Sequence, residues 1–284
     1  MWETIKRREF NVQNLLTMIS YIGGKSRMAK WIGSYIPENK TYVEVFGGAF
    51  WVYINGNINS DRIVYNDYNR FMANLFESFR KPEKFLSYLQ KYESQNVELF
   101  NEFQKELNLI VKHKIPFGLG DSNIGTKYAY CATQVFSGSK ILESKFIDLK
   151  GKYSSKYDAL QRKLQKEKIN EKLERITDVE NMSYEDLIPK YDSKDAFFYV
   201  DPPYWKTENY YSNHDFDVED HKKLIDILKN TKGKWALSYY YFDLLEELLP
   251  KDKFRWVERE FNKAAGAQKG KKQNKGTELL IMNY

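Results

Sequence analysis

The run Ala196-Phe197-Phe198-Tyr199-Val200 is continuously apolar, has strand length and strand composition, and stops at Asp201-Pro202-Pro203-Tyr204. Proline lacks an N–H and fixes φ, so a central strand ends at Val200 and the backbone beyond it is a rigid turn. A buried strand ending this way delivers a carboxylate and an aromatic ring to one fixed point, with Trp205 next in line. A carboxylate accepts the protons of a planar amine and a ring stacks on its face; adenine presents such an amine. The same four residues also fit a proline-stopped strand with a surface acid, so the rest of the chain has to decide.

Upstream, residues 21–36 carry a glycine pair and then a helical pattern with Met28, Trp31, Ile32 and Tyr35 on one face. A β-prone run at 41–45 leads through Phe46-Gly47-Gly48 into an apolar helix at 49–54. A second strand at 62–65 ends at Asn66-Asp67, and a helix follows at 69–79. Between 81 and 175 the character changes to helical runs rich in Lys, Glu and Gln (82–93, 97–114, 155–175) around a looser Gly/Ser/Asn segment at 116–126. Alternation then resumes with a strand at 196–200, a helix from Asp217 opened by acids that suit its positive end, and a strand at 234–239. A helix at 242–249 and strands near 254–261 and 278–283 complete the pattern. Such alternation on both sides of an insert predicts an α/β sheet, with 1–80 and 176–284 forming one discontinuous domain and 81–175 a helical insert.

Composition narrows the chemistry. The 45 Lys and Arg against 39 Asp and Glu leave a net charge of +6, which suits a polyanionic partner. A single cysteine, Cys131, permits no internal disulfide and fits a reducing cytosol. His113, His214 and His221 are scattered and none has metal-ligand spacing, so no metal is expected. No apolar run reaches membrane-spanning length, and residues 1–17 read as a polar extension without a signal-peptide core. The expectation is a cytoplasmic protein of bacterial or phage type, monomeric by default.

Glycines 47 and 48 at a strand end let the backbone pass close to a ligand at the carboxyl edge of the sheet, and Asp67 ends the next strand at a separation that suits ribose hydroxyls. Tyr21-Ile22-Gly23-Gly24-Lys25 adds another glycine turn with a cation beside it. Neither GxGxxG nor GxxxxGK[ST] is present, so a nucleoside bearing a carboxylate fits these parts better than a nucleotide. Plain structural turns and a solvated lysine remain open for each segment taken alone.

The segments YIGGKSRM, VEVFGGAF, YNDYN and VDPPYW occur in that order, with the insert between the third and the fourth. Together they resemble the Dam-type class of DNA adenine N6-methyltransferases, over about residues 19–76 and 176–284. The resemblance implies a Rossmann-like methyltransferase sheet, mixed but mostly parallel, a mainly helical inserted target-recognition domain, and S-adenosylmethionine as cofactor. The implied cofactor residues are Tyr21, Gly24 and Lys25 at the methionine end, Glu44, Phe46 and Gly47 along the pocket, Asp67 at the ribose, and Asp201, with Glu180 or Asn181 near the cofactor adenine. Asp201 and the Pro202 carbonyl would bind the N–H groups of a flipped adenine, Tyr204 would stack on it, and Trp205 would extend that wall. The expected partner is double-stranded DNA, with Lys127, Gln134, Ser137, Ser139 and Lys140 of the insert and Lys263, Lys269, Lys271, Lys272 and Lys275 of the lysine-rich run 262–276 as candidate contacts. The insert lacks an RxNxxGxFN-like segment, so no target sequence carries over. Competing readings are a methyltransferase for cytosine N4, RNA or a protein amide, and a catalytically idle DNA-binding protein on the same core.

Overall fold

The computed structural model describes residues 18–19, 25, 27–94, 96–134, 156–204, 216–262 and 275–284. Its centre is a seven-stranded sheet built from β1 (Thr41–Glu44), β2 (Arg62–Asn66), β3 (Asp178–Glu180), β4 (Ala196–Val200), β5 (Lys234–Tyr239), β6 (Arg255–Asn262) and β7 (Lys275–Met282), in the order β3-β2-β1-β4-β5-β7-β6. β1 through β5 pair in parallel, and β7 inserts antiparallel between β5 and β6. The expected mixed, mostly parallel α/β sheet is therefore present.

The strand placement follows from side-chain character. All of β4 is buried, which only a strand covered on both faces tolerates, and it pairs with β1 on one side and β5 on the other. Alternate residues face opposite layers: Tyr42, Phe197 and Tyr199 join one hydrophobic cluster, and Val43, Phe198 and Val200 join the other. Strand order reverses between β1 and β4, and at such a switch point α/β folds open a crevice at the carboxyl ends of the strands.

The second cluster is covered by the helices Tyr184–Tyr191, Val218–Asn230 and Asp243–Leu248 (α9, α10 and α11). Asp217 opens α10 with a capping box to Asp220, as the acid-rich start predicts. The first cluster runs from the sheet through α1 (Ala29–Gly33), α2 (Trp51–Asn55) and α3 (Arg70–Phe79) into the helices between β2 and β3. Those helices are α4 (Pro82–Leu89), α5 (Val97–Lys112), α6 (Ser122–Gln134), α7 (Lys156–Leu164) and α8 (Glu167–Glu174).

Three local expectations change. The segment read as loose at 116–126 contains the start of α6. Asp121 accepts from the amides of Asn123 and Ile124, and buried Asn74 of α3 grips the Asp121 backbone at 2.8 and 3.0 Å. A Cβ on Gly125 would lie 3.0 Å from Ser78 Oγ, so the small residues that suggest a loop serve close helix packing instead. The long helix expected at 155–175 breaks into α7 and α8, the Asn170 amide donating to the Leu164 carbonyl at 3.0 Å across the break. Finally, β3 and α9 went unforeseen, because three polar-flanked residues carry no strand pattern and α9 holds Pro189 inside.

Candidate active site

The carboxyl end of β1 turns at the glycine pair. Gly47 donates to the Asn66 carbonyl at 2.6 Å, and a Cβ there would sit 2.4 Å from the Tyr65 ring, so this position packs β1 against β2 and excludes a side chain. Gly48 (φ 47°) and Phe50 (φ 55°) are left-handed; Phe50 is held so by its ring packing on Tyr53, Tyr65 and Phe76. Asp67 closes the turn from the next strand. One carboxylate oxygen accepts from Gly48 N and the other from Asn69 N, both at 2.8 Å. Burial pushes the Asp67 carboxyl up to about 6 against the pull of those amides. The Asn181 amide donates to the Asp67 and Tyr68 carbonyls at 2.8 and 2.9 Å, so it clamps this turn. Glu180, by contrast, is taken up by Lys190 and Tyr191. Phe46 lies at the rim against Tyr184 and edge-on to Phe216.

Glu44 ends β1 almost fully buried, and one of its oxygens accepts from Tyr42 Oη and Tyr53 N, each at 2.7 Å. Burial raises its carboxyl to about 8, beyond what those two donors offset, and the Asp201 charge adds to the rise. The folded protein therefore keeps Glu44 protonated at neutral pH while the unfolded chain ionises it near its ordinary value. A raised folded pKa gives stability that is complete below the unfolded pKa and lost as pH climbs through the folded one, at up to about 1.4 kcal/mol per pH unit. Glu44→Gln is expected to flatten that decline between about pH 5 and about pH 8 in urea unfolding, and an unchanged slope would remove Glu44 from the account.

Beyond β4 the Asp201 turn meets two distant segments. Lys25, 7% exposed, sets its ammonium 3.0 Å from Asp201 Oδ1 and 3.4 Å from Glu278 Oε1, and also donates to the Tyr204 hydroxyl. Tyr204 Oη reaches Asp201 Oδ1 at 3.0 Å and Glu278 Oε1 at 2.6 Å, and Ser238 Oγ reaches the same Glu278 oxygen at 2.6 Å. Burial disfavours the charged form of Lys25, but the Asp201 and Glu278 carboxylates outweigh it and raise the pKa. For Asp201 burial prevails: its carboxyl rises to about 6 despite Lys25, with Glu278 pushing the same way. The ion pair and the hydrogen bond of Asp201 both fall on Oδ1, while the side chain remains 19% exposed. Among the described residues nothing bonds Oδ2, which leaves an acceptor open at the switch-point crevice.

A family model for the D12 class N6 adenine-specific DNA methyltransferase matches residues 21–264, most of the chain. The chain belongs to that family. This methyltransferase finds no match among curated protein sequences. Among solved structures it is similar to a precorrin-8w decarboxylase from Methanobacterium thermoautotrophicum, at 13% identity and a TM-score of 0.36 over 94% of this chain and 93% of that one.

The structure of the methyltransferase brings Lys25, Glu44, Phe46, Gly47, Asp67, Asp201, Pro202 and Tyr204 to the carboxyl edges of β1, β2 and β4. Lys25 is seated on Asp201, and the Tyr204 ring packs on Tyr239 and Tyr240 at 5.3 and 4.3 Å. Lys127 is paired with Glu106 and Lys275 with Glu260. Tyr21, Gly24, Ser137, Ser139, Lys140, Trp205, Lys263, Lys269, Lys271 and Lys272 lie outside the described residues, as does the side chain of Gln134. Sequence reading missed Glu278 and Ser238. The one signal was an acid heading the apolar run Leu279-Leu280-Ile281-Met282, a charge inside what proves to be an interior strand. Among the described residues no group of at least three His, Cys, Asp or Glu could hold a metal, and no helix is long and apolar enough to cross a membrane.

Proposed function

We propose that this DNA adenine methyltransferase takes its methyl group from S-adenosylmethionine and delivers it to the N6 amine of an adenine flipped out of the duplex. The observation that carries the reading is the open carboxylate oxygen of Asp201, presented at the switch point beside an acceptor-rich crevice. Glu44, Asp67 and Asp201 end three adjacent parallel strands there, and Phe46 lies at the rim. The Asp67 and Asp201 carboxylates at that edge disfavour phosphate and suit a ligand with ribose hydroxyls, a cationic group and a planar ring, which S-adenosylmethionine combines. Asp67 would hold the ribose hydroxyls, Glu44 would line the pocket as a neutral hydrogen-bonding group, Phe46 would pack on the ring, and Tyr21, Gly24, Lys25 and Gly47 would form the remaining edge.

S-adenosylmethionine supplies, when bound, a methyl carried on a positively charged sulfur. The amine of adenine is a weak nucleophile because its lone pair is delocalised. Asp201 Oδ2 and the Pro202 carbonyl would accept its N–H groups and favour a pyramidal nitrogen, an interaction that strengthens as the N–C bond forms. In-line displacement needs no covalent enzyme intermediate, so the chain's work is positioning and electrostatics. Flipping the base costs a few kcal/mol, part of which stacking on Tyr204 and Trp205 would return. That stacking requires the Tyr204 ring to part from Tyr240. Incubation with labelled S-adenosylmethionine and unmethylated DNA, followed by mass analysis of nucleosides, is expected to give N6-methyladenine; methylcytosine would overturn the choice of base.

In this reading residues 81–175 form the target-recognition part, with Lys127 and Lys140 among its contacts, and the lysine-rich run clamps phosphates. Replacing Lys263, Lys269, Lys271 and Lys272 with glutamine is expected to weaken binding to all DNA sequences alike. It should also reduce the slope of log K against log salt by about 0.9 for each phosphate no longer neutralised. An unchanged slope in a fluorescence titration would place the phosphate clamp elsewhere.

A further inference from the structure

Glu278 lies on β7, far along the chain from both glycine turns, yet it is 1% exposed and its Oε1 is the meeting point of the site. Ser238 Oγ and Tyr204 Oη converge on that one oxygen at 2.6 Å each, and Lys25 Nζ stands 3.4 Å away. The same Lys25 and Tyr204 are the groups bonded to Asp201 Oδ1. Ser238 in turn belongs to β5, which pairs with β7 from Ala236↔Met282 to Tyr239↔Leu279, so the anchor is tied to the sheet on both sides. A lysine at this depth has several rotamers to lose, and Asp201 and the Tyr204 hydroxyl hold it from one side. A second carboxylate fixes its direction.

We propose that Glu278 is a positioning residue for methyl transfer: it gathers Lys25 and Tyr204 onto one oxygen of Asp201 before adenine arrives and so leaves the other oxygen aimed at the incoming amine. The assignment rests on the methyl-transfer reading of Asp201, and it explains why an acid occupies a buried position on an interior strand. Preorganisation of this kind matters because a misplacement of about 1 Å at the reacting centre costs on the order of 100-fold in rate.

The test uses the full chain with Glu278→Gln, which keeps an acceptor oxygen for Tyr204 and Ser238 and removes the charge. The Asp201 carboxyl is followed by carbon NMR in protein without cofactor or DNA, and the pH profile of kcat is measured alongside. Among the described residues, the charged and titratable groups facing Asp201 are Lys25 before α1, Glu44 on β1, Tyr199 on β4, Tyr204 in its own turn, Tyr240 after β5, and Glu278. Glu278 pushes the Asp201 carboxyl up, so the glutamine variant should let its midpoint fall below the value of about 6 and carry the acid limb of kcat down with it. kcat at neutral pH should drop roughly 10-fold with KM for cofactor little changed, and Glu278→Ala should lose on the order of 100-fold. If the alanine variant does not fold, the glutamine titration alone decides. An unmoved Asp201 midpoint together with a wild-type pH profile would overturn the assignment. Absence of methyl transfer in the wild-type protein would instead sink the functional reading while leaving the carboxyl titration to stand or fall by itself.

Discussion

Asp201→Asn is expected to lower kcat for N6-methyladenine formation by roughly 100- to 1000-fold, the usual effect of removing a preorganised group that stabilises transition-state charge. Binding of S-adenosylmethionine should change by a few-fold at most. The variant should fold, because Lys25 keeps Glu278 at 3.4 Å and the amide oxygen of asparagine still accepts from Tyr204. The loss would arise on the other oxygen: in the proposed mechanism an anion faces the amine in the wild type, whereas asparagine offers a neutral dipole that can also present N–H groups to it. Labelled S-adenosylmethionine and unmethylated DNA, assayed beside the wild type under single-turnover conditions, measure the effect directly. Equal label in the two proteins would take Asp201 out of the chemistry.

Lys25→Met carries the largest expected effect on stability. The cation stands between Asp201 and Glu278, and its removal leaves one partly buried and one buried carboxylate without the charge that holds them together. Breaking a buried ion pair from one side typically costs about 3–5 kcal/mol. The sign of the pH dependence follows from the pKa shifts. Lys25 lowers the Asp201 carboxyl, which nonetheless sits at about 6, so deleting Lys25 raises it further. A carboxyl raised above its unfolded value gives stability that is complete below about pH 4 and lost as pH passes the folded pKa. The variant should therefore approach the wild type near about pH 5 and fall furthest behind it near about pH 8 in urea unfolding. The same deficit at both values would show that packing, not charge, is what Lys25 contributes.

The elements to which chemistry is assigned in the proposed function stand out in the sequence because they break local rules at strand ends. Gly47-Gly48 after an apolar β1, Asp67 after β2 and two prolines after β4 each interrupt a buried strand with residues that no core requires. Periodicity located most of the strands to within a residue or two. It missed β3, whose three residues are all half-buried, and it mistook the start of α6 for a loop because Gly125 and its neighbours serve packing on Ser78 and Phe85. Glu278 escaped for a different reason. Its partners Lys25, Tyr204 and Ser238 come from the region before α1, the turn after β4, and β5, and only the insertion of β7 between β5 and β6 brings them together. Nothing along the chain signals a contact made by strand order. The left-handed Phe50 is equally silent, since an aromatic there reads as ordinary helix filler.

The hydrophobic cluster beneath β1 and β2 does not stop at the sheet. Phe76 and Phe79 of α3 lead edge-on to Phe85 of α4, while Phe103 of α5 meets Tyr130 of α6, and Tyr130 meets Tyr157 of α7, all within the same buried body. Chimeras that exchange the stretch from Pro82 to Glu174 between relatives would cut through shared aromatic packing, not along a seam. Under the target-recognition role proposed for residues 81–175, a new target sequence is better sought by varying the exposed faces of α5 and α6 and leaving their inner faces as they stand, because the helices and the sheet share a single keel.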